Sequence, residues 1–180
     1  MKPRRRKCKI CKEWIDNPRS TLQVACSPKC AIAYNNLKKQ KKERENDRKA
    51  IERLKSRGQW LKEAQTTFNK YIRERDRNKS CISCASYHTG QNHAGHFYTT
   101  SARPDLRFNE DNCNVQCQPC NTHLSGNIHE YRIGLINKIG QERVDALEVV
   151  GKSDWSIEEI KEIKEKYKKK IKLLKDKGEK

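Results

Sequence analysis

Two stretches decide the reading of this chain: His93-Ala94-Gly95-His96-Phe97, and Glu110-Asp111-Asn112-Cys113-Asn114-Val115-Gln116-Cys117, which runs on through Gln118 and Pro119 to Cys120-Asn121-Thr122-His123. With Cys81-x-x-Cys84 they occupy the interval 80–130, where every histidine of the chain falls. A two-residue gap lets both sulfurs of one knuckle reach the same tetrahedral ion at about 2.3 Å. Cys81, Cys84, Cys117 and Cys120 therefore read as a closed, structural zinc site that clamps the ends of a small core, leaving Cys113 as a buried thiol.

Working outward, Cys8, Cys11, Cys26 and Cys30 repeat the argument for a second zinc, with Cys30 on the first turn of a helix. From Ala31 to about Arg57 the sequence is dense in Lys, Arg, Glu and Gln, as a solvated helix would be. The break is expected at Gly58. Trp60, Leu61, Ala64, Phe68, Tyr71 and Ile72 then recur at helical spacing and predict a helix packed on the core. Glu130–Val149 reads as a further helix. Ser156–Lys175 carries apolar residues near heptad spacing, suited to the 31–57 helix, to a second copy, or to its own domain. The expected division is a zinc module at 1–35, a basic helical region at 36–79, a core at 80–130 and C-terminal helices at 131–180.

The composition narrows the class. Of 180 residues 36% are charged and 33% hydrophobic, too polar for a large continuous core, so metal staples are expected. The start, Met-Lys-Pro-Arg-Arg-Arg-Lys, is followed by no apolar run, which predicts a reducing cytoplasm and favours metal over disulfides. No stretch is long and apolar enough for a membrane. The formal charge of +18 suits a polyphosphate partner, DNA or RNA alike.

Phosphodiester hydrolysis needs a base for water, a cation for the developing charge, and groups that hold both. His96 near a strand end, Asn112, and Asn121 nine residues on, framed by Cys-x-x-Cys pairs, resemble the ββα-metal fold of HNH endonucleases. The run Ala-Gly-His-Phe, with Arg107-Phe108, Asn112, Gln116-Cys117-x-x-Cys120-Asn121 and Gly126-Asn127, further resembles the NinG/Rap family of lambdoid phage recombination endonucleases over nearly the whole chain. The expected fold class is thus a small α+β protein, with an HNH core stapled by one four-cysteine zinc, an N-terminal four-cysteine module and long basic helices. The resemblance implies cutting of branched DNA, D-loops and Holliday junctions, by a phage-encoded enzyme in the bacterial cytoplasm. It gives His96 the role of general base, Asn112 that of bracing its loop, and Asn121 that of ligand to a catalytic Mg²⁺ or Mn²⁺. Many HNH enzymes carry an Asp where this chain has Gly95, so a second ligand is open among His93, His123, Asp105 and Ser125. Arg103 and Arg107 are expected to contact phosphate. His88 and His129 are assigned nothing.

The competing class is a non-catalytic zinc-finger module that binds nucleic acid and recruits recombination factors. Charge and zinc fit both; only the His96, Asn112 and Asn121 set separates them. A junction of two-fold symmetry would suit a homodimer with paired active sites.

Overall fold

The structure, a computed structural model, describes residues 5–178. Residues 1–4 of the expected N-terminal module and 179–180 of the C-terminal helices lie outside the described residues. The chain divides at Lys55/Ser56 into two compact units, so the expected boundary at 35/36 falls inside a helix and the one at 130/131 inside another.

In the first unit β1 (Arg6–Lys7) pairs antiparallel with β2 (Trp14–Ile15), Arg6 opposite Ile15. Lys12, at φ 66°, turns the loop between them. α1 (Pro28–Leu54) starts where Ser27 accepts the Cys30 N–H and Pro28 takes an early helical position that needs no donor. At 27 residues it is about 40 Å long, and none of its residues is buried. It is the solvated basic helix expected from the sequence, begun earlier and ended at Leu54.

The break is set by Ser56 rather than by Gly58. Ser56 accepts the Gln59 N–H while the Gln59 side chain accepts the Ser56 N–H, a reciprocal cap that opens α2 (Arg57–Arg75) and leaves Gly58 inside its first turn. Trp60, Ala64, Phe68, Tyr71 and Ile72 of α2 are buried, the stripe expected from the spacing.

β3 (Asn92–His96) and β4 (Cys113–Cys117) form an antiparallel pair, Asn92 opposite Cys117 and His96 opposite Cys113. A single wide helical turn (Pro119–His123) follows, then α3 (Ile128–Ile139). The expected helix over 130–149 is split: Gly140 at φ 84° stops α3, and α4 (Gln141–Asp145) follows it with one tighter turn, Ala146–Glu148. α5 (Ile157–Gly178) closes the unit.

The β3–β4 pair lies between two apolar layers. Successive strand side chains point to opposite faces. On one side Ala94 and Cys113 meet Phe68, Tyr71 and Ile72 of α2, with Tyr167 and Ile171 of α5. On the other, Phe97 packs on Tyr131, Leu135, Val144 and Leu147. α5 therefore docks on α2 of its own unit, where Ile160 also joins Trp60 and Ala64. Its stripe is used within this unit. Among the described residues no helix is long and apolar enough to cross a membrane.

Candidate metal centres and histidine cleft

Both cysteine clusters form. In each, the four sulfurs lie within 4.8 Å of one another. Cys11 and Cys26 are 3.5 Å apart, Cys26 and Cys30 3.7 Å, Cys84 and Cys117 3.9 Å. A tetrahedron with bonds of about 2.3 Å has edges of about 3.8 Å, so these sulfurs fit zinc without rearrangement. The Ile10 N–H lowers the Cys8 thiol to about 6. Burial opposes ionisation of Cys84, but His88, 3.4 Å away, and the Ser86 N–H outweigh it and bring that thiol to about 6 as well. Thiolates are the metal-binding form; within the same clusters hydrogen bonding with Cys11 and Cys30 pushes Cys26 up to about 12 and burial pushes Cys117 up to about 12, so the two low thiols are the first to ionise. His88, to which the sequence assigned no role, is thus a neighbour of the second cluster, and Cys113 is a buried thiol outside it.

The histidines of β3 separate by strand parity. His93 and Gly95 share a face with Asn114 and Gln116; His96 shares the other with Cys113. On the first face Asn121 Nδ2 donates to His93 Nδ1 at 3.1 Å, and His93 Nε2 is buried without a partner. Gly95 leaves room here: a Cβ would stand 2.2 Å from Gln116 Oε1 and 3.1 Å from Asn121 Oδ1. Two amide oxygens therefore meet over a residue with no side chain, and the His93 imidazole accepts from the amide nitrogen of one of them. Hard oxygen donors of this kind fit Mg²⁺ or Mn²⁺.

His96 faces the other way. Its Nε2 donates to the Arg107 carbonyl at 3.1 Å, its Nδ1 faces Cys113 Sγ at 3.6 Å, and Phe68 packs at 6.0 Å between ring centroids. Burial lowers its pKa and outweighs the Arg107 carbonyl, which favours the charged ring. Asn112, fully buried, accepts the Tyr98 N–H at 2.8 Å and donates to the carbonyls of Tyr98 and Leu106. Leu106 adjoins Arg107, so Asn112 steadies the carbonyl that orients His96. The structure thus brings Asn121 to His93 and not to His96.

Several expected roles change. Asp105 is bound by both Arg103 nitrogens at 2.9 and 2.7 Å and by the Gly151 N–H at 3.0 Å; Arg103 beside it holds the carboxyl well below the ordinary range. Neither residue is placed for metal or phosphate. Ser125 is not on a helix with Asn121, because the turn ends at His123 and Ser125 adopts φ 50°. His123, the last residue of that turn, is exposed. Among the described residues the Arg107 guanidinium makes long contacts, 3.4 Å to Gln65 and 3.3 Å to the Thr100 carbonyl, and its buried Nε has no partner. Gln116, not singled out from the sequence as a ligand, could have been found from hairpin register, which sets it opposite His93.

Fold and sites together define a small α+β protein with two cysteine clusters able to hold zinc and a group of amide and imidazole side chains next in sequence to the ligands of one of them. Its family follows from comparison with known proteins. The family described as "Bacteriophage Lambda NinG protein" matches residues 1–179, and the chain belongs to it. The protein ninG of Escherichia phage 933W is 44% identical, over 97% of this chain and 96% of that protein. The ninG proteins of Escherichia phage lambda and Salmonella phage P22 are 43% and 42% identical over the same shares. No solved structure matches the chain.

Proposed function

We propose that the protein is a metal-dependent endonuclease that cuts branched DNA, D-loops and Holliday junctions among them. The observation that carries this reading is one strand bearing two histidines in complementary states. Because the Arg107 carbonyl accepts a hydrogen bond from the Nε2–H of His96, the lone pair is on Nδ1, ready to accept a proton from water. Burial keeps that ring neutral at neutral pH. His93, accepting at Nδ1 from Asn121, carries its proton on the unpartnered Nε2, a donor suited to a phosphate oxygen. Asn121 Oδ1 would hold Mg²⁺ or Mn²⁺, which when bound offsets charge on the phosphate and leaving oxygen. Arg107 is the better placed of the two expected arginines for phosphate.

The charge of +18 supports DNA as partner, and the motif resemblance supports branches. Because His96 and Asn121 lie on opposite faces of β3, the reading requires the phosphate to be reached round the strand end, with Cys113 yielding at Nδ1. That separation favours a second reading, a non-catalytic zinc protein that binds nucleic acid and recruits recombination factors. Labelled junctions incubated with Mn²⁺ distinguish them. Cutting that disappears in zinc-replete His96→Ala supports the nuclease; junction binding without cutting, unchanged by the substitution, supports the binding module. A homodimer, with two sites for paired cuts, is the assembly this substrate favours; one mass for free and junction-bound protein corresponding to a single chain rules it out.

A further inference from the structure

We infer that Trp14, with Arg5 and Lys7 beside it, is a stacking site for an unpaired base of single-stranded DNA. The inference deepens the branched-DNA reading, rests on it for the presence of DNA, and gives the first unit a part of its own. Three observations carry it.

The first is strand parity. Ile15 turns inward and is 3% exposed, packed with Cys8 and Ala25 of the cysteine module. Its neighbour Trp14, paired with Lys7, therefore turns outward. An indole stands where the alternation calls for a polar residue, and Trp14 is 51% exposed. Of the other two tryptophans, Trp60 is buried and Trp155 packs against Phe108.

The second is what surrounds the ring. The Arg5 guanidinium and the Lys7 ammonium lie 5.7 and 5.4 Å from its centre. Arg5 also meets Asp16 at 2.8 Å, but both side chains are mostly exposed, so that pair holds it weakly. A base laid on the indole displaces the cations from the ring and leaves them free to reach the phosphates on either side of it. The third is charge. Residues 1–55 carry 18 Lys and Arg against 6 Asp and Glu. A zinc held by four thiolates is a dianion, which that excess outweighs. The ring thus stands on a unit whose field draws in a polyanion.

Geometry selects the strand. Inside a duplex both faces of a base are covered by its neighbours, and a ring on a two-stranded hairpin has no way between them. Where strands separate, a base face is free, and stacking on an aromatic ring accepts any base. Trp14 then favours branches and displaced strands without reading sequence. Charge alone cannot do this, since it serves duplex and single strand alike.

The test follows the tryptophan fluorescence of the full-length, zinc-replete chain, titrated with oligo(dT), with a duplex of equal length and with oligo(rU). Oligo(dT) is expected to quench the emission, and Trp14→Phe to abolish the quench while keeping most of the affinity. Trp14→Ala should lose about fivefold or more in affinity for oligo(dT) and little for duplex, with zinc content unchanged. Lys7→Gln should lower the slope of log affinity against log salt by about 0.7, the share of one phosphate contact on a single strand. Quenching that persists in Trp14→Phe, equal binding of oligo(dT) by wild type and Trp14→Ala, or equal losses for oligo(dT) and duplex would each overturn the site. So would a clear preference for oligo(rU) over oligo(dT), which makes the partner RNA. Emission shifted by phosphatidylserine vesicles and not by oligo(dT) overturns it too, since the ring then meets a membrane surface. Stacking by a protein that cuts nothing upholds the site and removes only the nuclease reading; branched-DNA cleavage with strand binding unchanged in Trp14→Ala removes the site and leaves that reading standing.

Discussion

Replacing Asp76 with alanine tests what joins α2 to β4 and α3. The carboxylate is completely buried at the end of α2. It accepts from Arg75 at 2.5 Å, from Lys79 at 2.9 Å, from the Val115 N–H at 3.3 Å and from Lys138 at 3.4 Å. Burial alone would raise its pKa, but Arg75 and Lys79 outweigh burial and hold it at about 2. Against an ordinary Asp near 3.9, that gap is worth about 2.5 kcal/mol in favour of the charged native form. Truncation also leaves Arg75 and Lys138 facing each other without their anion, and removing one partner of a buried pair costs about 3–5 kcal/mol. For a unit of this size each kcal/mol shifts the midpoint by about 3–4 °C, so Tm should fall by about 9–20 °C. Urea unfolding of zinc-replete wild type and Asp76→Ala at pH 7 measures the loss directly. A loss below about 1 kcal/mol would refute the claim that this carboxylate ties the three elements together.

Three further outcomes follow from named contacts. If His96 is the proton acceptor, its lowered pKa sets the acid limb of the pH profile for kcat/KM below the ordinary histidine value near 6.5, because the ring must lose its proton to act; a limb above 6.5 would exclude it. Gly134→Ala places a Cβ 1.9 Å from the Ile82 carbonyl, so α3 must move off the Cys81 knuckle. A drop in Tm with slower zinc uptake is expected, and an unchanged Tm would show that the two are not in contact. Lys38, Lys42, Lys49 and Arg53 share one face of the exposed helix α1. Changing all four to Gln should weaken DNA binding and flatten its dependence on salt, whereas an unaltered slope of log affinity against log salt would mean that α1 does not touch the backbone.

Local chemistry was readable from the sequence and parity was not. Knuckle spacing alone predicted both cysteine clusters, because two cysteines with two or three residues between them can reach one ion within a single turn of chain. The stripe from Trp60 to Ile72 was readable because its period matches a buried helix face. The His93 and His96 roles turned on a strand whose ends no apolar alternation marks, Asn92–His96 being almost entirely polar or small; once its register with β4 is known, a three-residue separation puts the two rings on opposite faces. Ser125 was misplaced because a single helical turn was taken to continue, where Ser125, Gly126 and Asn127 all have positive φ. Arg103 and Asp105 look like ligand and phosphate contact in one dimension, yet two residues apart they satisfy each other. The boundary at Ser56 was legible in principle as a Ser-x-x-Gln cap, but the neighbouring glycine drew the break to itself.

The most direct test of the central claim is cleavage of labelled linear duplex, D-loop and four-way-junction DNA by the zinc-replete protein with Mg²⁺ or Mn²⁺, run beside His96→Ala of equal zinc content. The account predicts metal-dependent cutting of the branched substrates that disappears in the folded variant. Junction binding with no cutting under either metal, or cutting that survives the loss of His96, would contradict it.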